Sequence, residues 1–477
     1  MTQNSQSSPP VSPPTAAGGL PLGILCLYFV HSFFMTFPMT AYGDWLFNSL
    51  HMPPATTSIY YAVSFFPWNL KPVYALLSDN VPIFGYRRKY YIVLCELGAA
   101  LSVLATGLFV TSSIPAAFGL RIVDSSCEAF SQMMLGIVLV DVAAGDKTKS
   151  GVTQAWANAA KNAASILALL VGIPIYHSPS LRSADIIAWS SVIPLVGVAV
   201  CLLVLYETKV DVSRPTPPDS TAPRTCRDMV TQKWTALTTA SRRIVSEQRA
   251  YIPVMAFFFL CSALPGGGSA WYQYTYGLLA NEKECFQYMS LAGMAGRIVS
   301  CAVYAKLCSG RNVRLVFAVS TVLSMLAGLP QLLLAPPMQP LPLPLCSFMT
   351  TESFLTAFTG EFALLQLLVV ATSFSPPKKE LHGLTYALYL SFMDFGGVVS
   401  AFLSAGLIQA VGITEDPDTH NVDWTNLWLL VVVSSLSNVA ILGFLFLLPR
   451  HVDGFDALPQ DDHVEADPLM DPSKPPV

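Results

Sequence analysis

Apolar residues come in long runs broken by short polar segments, and the length of those runs is the first signal. A hydrocarbon core about 30 Å thick needs roughly 20 apolar residues of helix to cross it. Twelve runs reach that scale: 20–47, 55–78, 90–111, 114–143, 152–176, 186–206, 251–279, 286–308, 312–335, 345–374, 383–411 and 424–448. Several contain Pro or Gly, which membrane helices tolerate. The one long interruption, 207–250, opens polar and Pro-rich (SRPTPPDSTAPR) and divides the runs six and six. The pattern predicts an all-α polytopic membrane protein with twelve transmembrane helices. It has an N-terminal half at 20–206, a central loop at 207–250 and a C-terminal half at 251–448. Residues 1–19 (Ser, Pro, Gln, Thr) and the acidic 449–477 read as disordered tails.

Positive charge sets the expected orientation. Nineteen Lys and Arg fall in loops on one side of the predicted bundle, and two, Arg182 and Lys283, on the other. Cytoplasmic loops are the Lys/Arg-rich ones, so both termini and the central loop are expected in the cytoplasm. The first nineteen residues hold no Lys or Arg, unlike a signal or transit peptide. The run from Leu20 therefore reads as an uncleaved span, with the plasma membrane expected rather than an organelle.

Composition narrows the chemistry. Of the 477 residues, 53% are hydrophobic and 12% charged, about half the charge of a soluble domain. A net charge of −4 gives no reason to expect nucleic acid. The ten cysteines are scattered without a CxxC pair and read as reduced and structural, with no metal or cofactor. No Walker A loop and no nucleophile–base pair stands out, so an enzyme is not expected. A membrane-bound monomer is.

An internal echo supports the division into halves. GVTQAWANAAKN (Gly151–Asn162) opens the fifth run and GLTYALYLSFMD (Gly383–Asp394) the eleventh. Two homologous six-helix halves around a midplane site is the major facilitator plan.

The stretch PWNLKPVYALLSDNVPIFGYRRKYY places Lys71 and Pro72 inside an apolar run, Ser78 and Asp79 at its end, then Gly85, Tyr86, Arg87, Arg88 and Lys89. Gly85 suits a tight turn, and the basic trio suits an anionic lipid surface. An acid facing cations across a turn suits a contact that forms in one conformation and breaks in another. This string resembles the signature of the folate–biopterin transporter family, a branch of the major facilitators. The resemblance continues through Pro265, WYQYTY, SPPKKELHGLTYALYLSFMDFGG, AVGIT and NLWLL. It implies a transporter of folate or biopterin working by alternating access, with protons as the coupling ion. One departure stands out: Gln132 and Gly136 occupy the positions of two family aspartates, and Asp141 that of a glutamate.

A charge at the centre of a membrane helix costs about 2.5–3.5 kcal/mol, so each needs a partner or a task. Arg121, Asp124, Glu128 and Gln132 share one helical face, as an ion network or a cavity lining, with Glu128 the foremost proton candidate. Asn158, Lys161 and Asn162 share a face of the fifth run; Lys161 suits a substrate carboxylate or Glu128. Arg297, Glu352 or Glu361, and Asp394 are further candidates, with Glu361 taken as the cavity-facing choice on the tenth run. Trp271, Tyr272 and Tyr274 could stack on a flat ring or anchor an interface. They follow Pro265, Gly266, Gly267 and Gly268, which are expected to break the seventh run as a gating hinge. Alternatives stay open: another solute such as S-adenosylmethionine, uncoupled facilitation, or a receptor or scaffold that keeps the shell.

Overall fold

The computed structural model describes residues 22–110, 112–143, 147–178, 180–207, 209, 231, 235, 251–308, 311–336, 344–373, 379–416 and 419–448. The expected tails and nearly all of the 207–250 loop lie outside the described residues, as do the side chains of Pro72, Asp79 and Asp141.

Helix α1 (Leu22–Thr36) and α2 (Met39–Asp44) meet across Pro38 and continue into a π-helical turn at Trp45–Ser49. Helix α3 (Pro54–Phe65) runs through a 3-10 turn, Phe66–Leu70, into α4 (Lys71–Asn80). Pro67 and Pro72 lack the N–H groups an α-helical ladder needs there. Then come α5 (Lys89–Phe109), α6 (Ile114–Ala143), α7 (Lys147–His177), α8 (Ser183–Ser190) and α9 (Val192–Leu203). The second half begins with α10 (Tyr251–Ser262) and α11 (Gly268–Leu278), followed by α12 (Cys285–Leu307) and α13 (Val313–Gly328). It ends with α14 (Leu345–Ser373), α15 (Lys379–Val411) and α16 (Leu427–Ala440).

Among the described residues nine helices are long and apolar enough to cross a membrane. The other three predicted runs are helical too. Pro54–Asn80 is interrupted by prolines, Tyr251–Leu278 is broken at 263–267, and α12 carries Gln287, Ser290 and Arg297. No strand forms among the described residues, only isolated bridges at Ile83–Tyr86 and Glu415–Val422.

Two of the helix pairs along which the halves meet are α3 with α15 and α7 with α12. A shift of six spans exchanges these pairs, because α3 corresponds to α12 and α7 to α15. The sequence echo thus coincides with a two-fold arrangement of contacts.

The hydrophobic cores are distributed unevenly. One cluster draws on both halves, with Trp45, Phe47, Tyr176 and Ile186 packing in the same core as Trp271, Tyr276, Phe286 and Leu427. Three others stay within one half: Ile24, Tyr28, Ile92, Leu135 and Cys201 in the first, and, in the second, Tyr251, Phe257, Phe317, Tyr389 and Leu448 and a small cluster of Tyr304, Val316 and Phe362. The shared core lies at the end bearing Asp44 and Lys283, the separate cores toward the end bearing Arg88. Burying apolar area across the halves at that end holds them together there; among the described residues no such shared cluster forms at the other.

The expectation of reduced cysteines needs correction. Cys285 and Cys346 form a disulfide, with Cα atoms 5.7 Å apart. They begin α12 and α14, which lie side by side, a proximity that spacing in the sequence does not reveal.

Candidate substrate cavity

A cavity of about 690 Å³ lies between the halves. Thr36 and Thr40 line it from the first predicted span, and Asn162 and Ser165 from α7. Trp271, Tyr272 and Thr275 on α11, Ser290 and Arg297 on α12, Gln331, and Glu352, Ser353 and Thr356 on α14 complete the polar and aromatic lining. That mix of aromatic faces with a few polar groups is the usual make-up of a small-molecule site.

Two charges face this space. Glu352 is buried, and the Gln331 amide donates to its Oε1 at 2.8 Å. Arg297 has no ion pair or hydrogen bond among the described residues. Of the two carboxylates weighed on the tenth run, Glu352 lines the cavity; Glu361, half-buried nine positions on, does not.

Of the remaining candidates most fall outside the lining. Arg121 pairs with Asp124 and approaches Glu128, Nη2 to Oε2, at 3.5 Å. Its guanidinium also lies 5.9 Å from the Tyr42 ring centre. This compact network sits inside the first half, with Asp124 and Glu128 buried and Gln132 half-buried on the next turns. Lys161 does not reach Glu128; its ammonium lies 4.7 Å from the Tyr28 ring centre. Asn158 is exposed, whereas Asn162 faces the cavity. Tyr274 turns away, its hydroxyl donating to the Leu334 carbonyl at 2.7 Å.

A carboxylate absent from the sequence expectations lies nearby. Glu96 on α5 is buried, and the Ser131 hydroxyl donates to its Oε1 at 2.7 Å. Gly197 on α9 makes room for it: a Cβ there would stand 3.0 Å from Glu96 Oε2. A lone Glu within YYIVLCELGAA was the available signal.

Beyond α4 the chain makes a tight turn. Ile83 and Tyr86 exchange backbone hydrogen bonds of 2.9 Å, and Phe84 and Gly85 take φ of 52° and 83°. Positive φ at both central positions is the type I′ pattern, and Gly85 adopts it without strain. Glu207 then caps α5. Its carboxylate accepts the backbone N–H groups of Arg87, Arg88 and Lys89, the last at 2.7 Å. Arg88 Nη1 donates to Ser78 Oγ at 2.9 Å, tying the turn to α4. Lys89 Nζ donates to the carbonyls of Leu202 and Leu205 at the end of α9. The contact that crosses between halves here is Lys71 on α4 with Asp394 on α15, at 3.6 Å.

The expected break in the seventh run is present, and its freed backbone groups are satisfied. Ser400 donates to the Leu264 carbonyl at 2.5 Å, Ser437 to the Pro265 carbonyl at 2.7 Å, and the Gly266 N–H donates to Ser404 at 2.9 Å. Gly267 lets α16 approach, since a Cβ there would stand 2.9 Å from Leu430 and Ser434. Irregular backbone at membrane depth needs such neighbours.

The end with the shared core is sealed by polar contacts as well. Lys283 pairs with Asp44 at 2.9 Å, and the adjacent Glu284 meets His177 Nδ1 at 2.9 Å. Tyr276 donates to the Thr40 carbonyl at 2.8 Å, and the Gln287 amide to Thr40 Oγ1 at 2.7 Å. These partners lie more than 100 residues apart, so no local pattern announces them.

Comparison with known proteins places this architecture. The BT1 family pattern matches residues 34–466. A protein of Synechocystis named folate-biopterin transporter is 26% identical over 431 residues, covering 90% of this chain and 81% of that one. Folate transporter 1 of Plasmodium falciparum is 22% identical over 411 residues, covering 85% and 74%. Among solved structures, the nucleoside transporter NupG superposes with a TM-score of 0.60 at 14% identity, covering 89% of this chain and 98% of its own. A D-xylose–proton symporter superposes with a TM-score of 0.59 at 10% identity, covering 91% and 98%.

Proposed function

Because this chain belongs to the BT1 family, we propose that it moves folates or pterins across a membrane by alternating access, driven by protons. The observation that carries the reading is the cavity between the halves, with Trp271 and Tyr272 beside Arg297 and Glu352. A flat heteroaromatic ring stacks on such aromatic faces, and a guanidinium meets a carboxylate in two parallel bonds. The names of the Synechocystis and Plasmodium relatives support the substrate class.

In this reading the Lys/Arg-rich end is cytoplasmic. The disulfide at the opposite end agrees, because such bonds persist on the oxidising side of a membrane. The end with the separate cores then faces the cytoplasm, and the contacts Asp44–Lys283 and His177–Glu284 lie on the outer side. Rocking about α3–α15 and α7–α12 exchanges the two openings, with the break at 263–267 as a place to flex. The Arg121, Asp124 and Glu128 network is the proton site, separate from the substrate cavity. Arg121 lies 3.5 Å from Glu128 as well as pairing with Asp124, so a small movement of its guanidinium makes or breaks the contact with Glu128.

A second reading keeps the fold and changes the cargo or the coupling, on the ground that Gln132 and Gly136 supply no carboxylate where the family signature that this sequence resembles has two aspartates. Accumulation of labelled folate or biopterin in proteoliposomes under an inward proton gradient separates the readings. Gradient-dependent accumulation that Glu128→Gln abolishes supports the first. Equilibration without accumulation supports uncoupled transport.

A further inference from the structure

Arg297 and Glu352 line one cavity from two adjacent helices, yet do not pair. Arg297 is exposed and Glu352 buried, although their helices pack closely enough for a salt bridge to be the simple outcome. Gly296 brings α12 against α14 so tightly that a Cβ would stand 2.5 Å from the Phe354 carbonyl oxygen, while Gly293 sits against Ala357 and Ser353.

The register explains the separation. α12 and α14 run parallel, with Cys285 bonded to Cys346 at one end and Gly296 against Phe354 and Phe358 further along. Positions about 61 apart in sequence therefore stand level. Arg297 is level with the region of Phe358, about six residues beyond Glu352, and at 1.5 Å per residue that is roughly 9 Å along the axes. The backbone positions that carry the cation and the carboxylate are held at different depths of the same cavity.

The carboxylate itself is half-used. Gln331 donates to one oxygen of Glu352. The other has no hydrogen-bond or ion-pair partner among the described residues. Gln331 thus fixes the carboxylate and leaves one oxygen open.

Resting on the proposed function, we infer that this cavity reads a bridging ligand at two points: Glu352 accepts from the donor edge of a 2-amino-4-oxo-pyrimidine ring, and Arg297 binds a carboxylate carried further along the same molecule. The ring edge offers an amino group and a ring N–H side by side, which match a carboxylate acceptor. Trp271 and Tyr272 flank the space with aromatic faces. Folate carries both the ring and a carboxylate tail; biopterin carries the ring with a dihydroxypropyl group and no carboxylate. Glu352 is then common to both ligands, and Arg297 sets the preference between them.

The test is equilibrium binding of folate and of biopterin to the purified full-length chain and to Arg297→Gln and Glu352→Gln. Arg297→Gln is expected to weaken folate at least tenfold and to leave biopterin within about threefold, because a charge-assisted hydrogen bond is lost only where a carboxylate exists. Retained biopterin binding shows that this variant is folded. Glu352→Gln is expected to weaken both ligands at least tenfold; should it fail to fold, Glu352→Asp, which keeps the charge and shortens its reach, is expected to weaken both in the same direction. Equal effects of Arg297→Gln on the two ligands, or none, would overturn the two-point reading while leaving pterin binding intact. So would unchanged affinities in the Glu352 variants. Wild-type protein that binds neither ligand would overturn the proposed function and this inference together.

Discussion

Lys71 Nζ stands 3.6 Å from Asp394 Oδ2, joining α4 of one half to α15 of the other. Both side chains are more than a third exposed, so water screens the pair and its share of stability is under about 1 kcal/mol. Its importance lies in which conformation it favours. Lys71→Gln and Asp394→Asn should each lower folate or biopterin uptake several-fold with little change in melting temperature. The exchanged pair, Lys71→Asp with Asp394→Lys, should recover part of the loss. A double-mutant cycle on uptake rates checks this, and strictly additive effects would remove the pair from the transport cycle.

Glu207 organises the turn that follows α4, accepting three consecutive backbone N–H groups at the start of α5. Glu207→Ala should destabilise the protein by about 1–2 kcal/mol, the scale of a lost helix cap with charge assistance. Thermal unfolding in detergent measures it. No change in melting would mean that solvent replaces the carboxylate at no cost.

How much of this was legible beforehand depends on how local each signal is. The helical runs, the break at PGGGS and the turn at Gly85 follow from residues within a few positions; the turn forms at Gly85, and the break spans 263–267, with Gly268 already in α11. Arg121, Asp124 and Glu128 also meet, because steps of three and four on one helix fix their common face. The partners of Lys161 and Asp394 depend on how helices rotate against one another, and no single-helix pattern contains that. Glu207, Asp44 with Lys283, His177 with Glu284, and Cys285 with Cys346 join distant segments whose proximity only packing creates. The choice of Glu352 over Glu361 as the cavity carboxylate has the same origin, since their spacing puts them on different sides of α14.

Close packing of α12 on α14 places Arg297 at the cavity, and two glycines on the same helix separate a tolerant site from an intolerant one. A Cβ at Gly296 would lie 2.5 Å from a backbone oxygen, whereas one at Gly293 would make ordinary contacts at 3.6 and 3.7 Å. Gly296→Ala should therefore cost about 1–3 kcal/mol, as overpacking does, and reduce ligand binding. Gly293→Ala should melt near the wild type. Comparable melting of the two variants would contradict the packing assigned here.

The Cys285–Cys346 bond ties the same two helices at their start. Replacing both with Ser should lower stability by about 2–4 kcal/mol, the usual range for a lost disulfide. Alkylation before and after reduction, read by mass spectrometry, should show two thiols released together. Immediate labelling of both without reductant would mean that they are not bonded in the isolated protein.

Transport itself is tested most directly by counterflow. Proteoliposomes loaded with unlabelled folate or biopterin and diluted into labelled substrate need no assumption about the coupling ion. The account predicts a transient overshoot of labelled substrate inside, lost in Glu352→Gln and absent from protein-free vesicles. Labelled folate and biopterin that never exceed the protein-free level would contradict it.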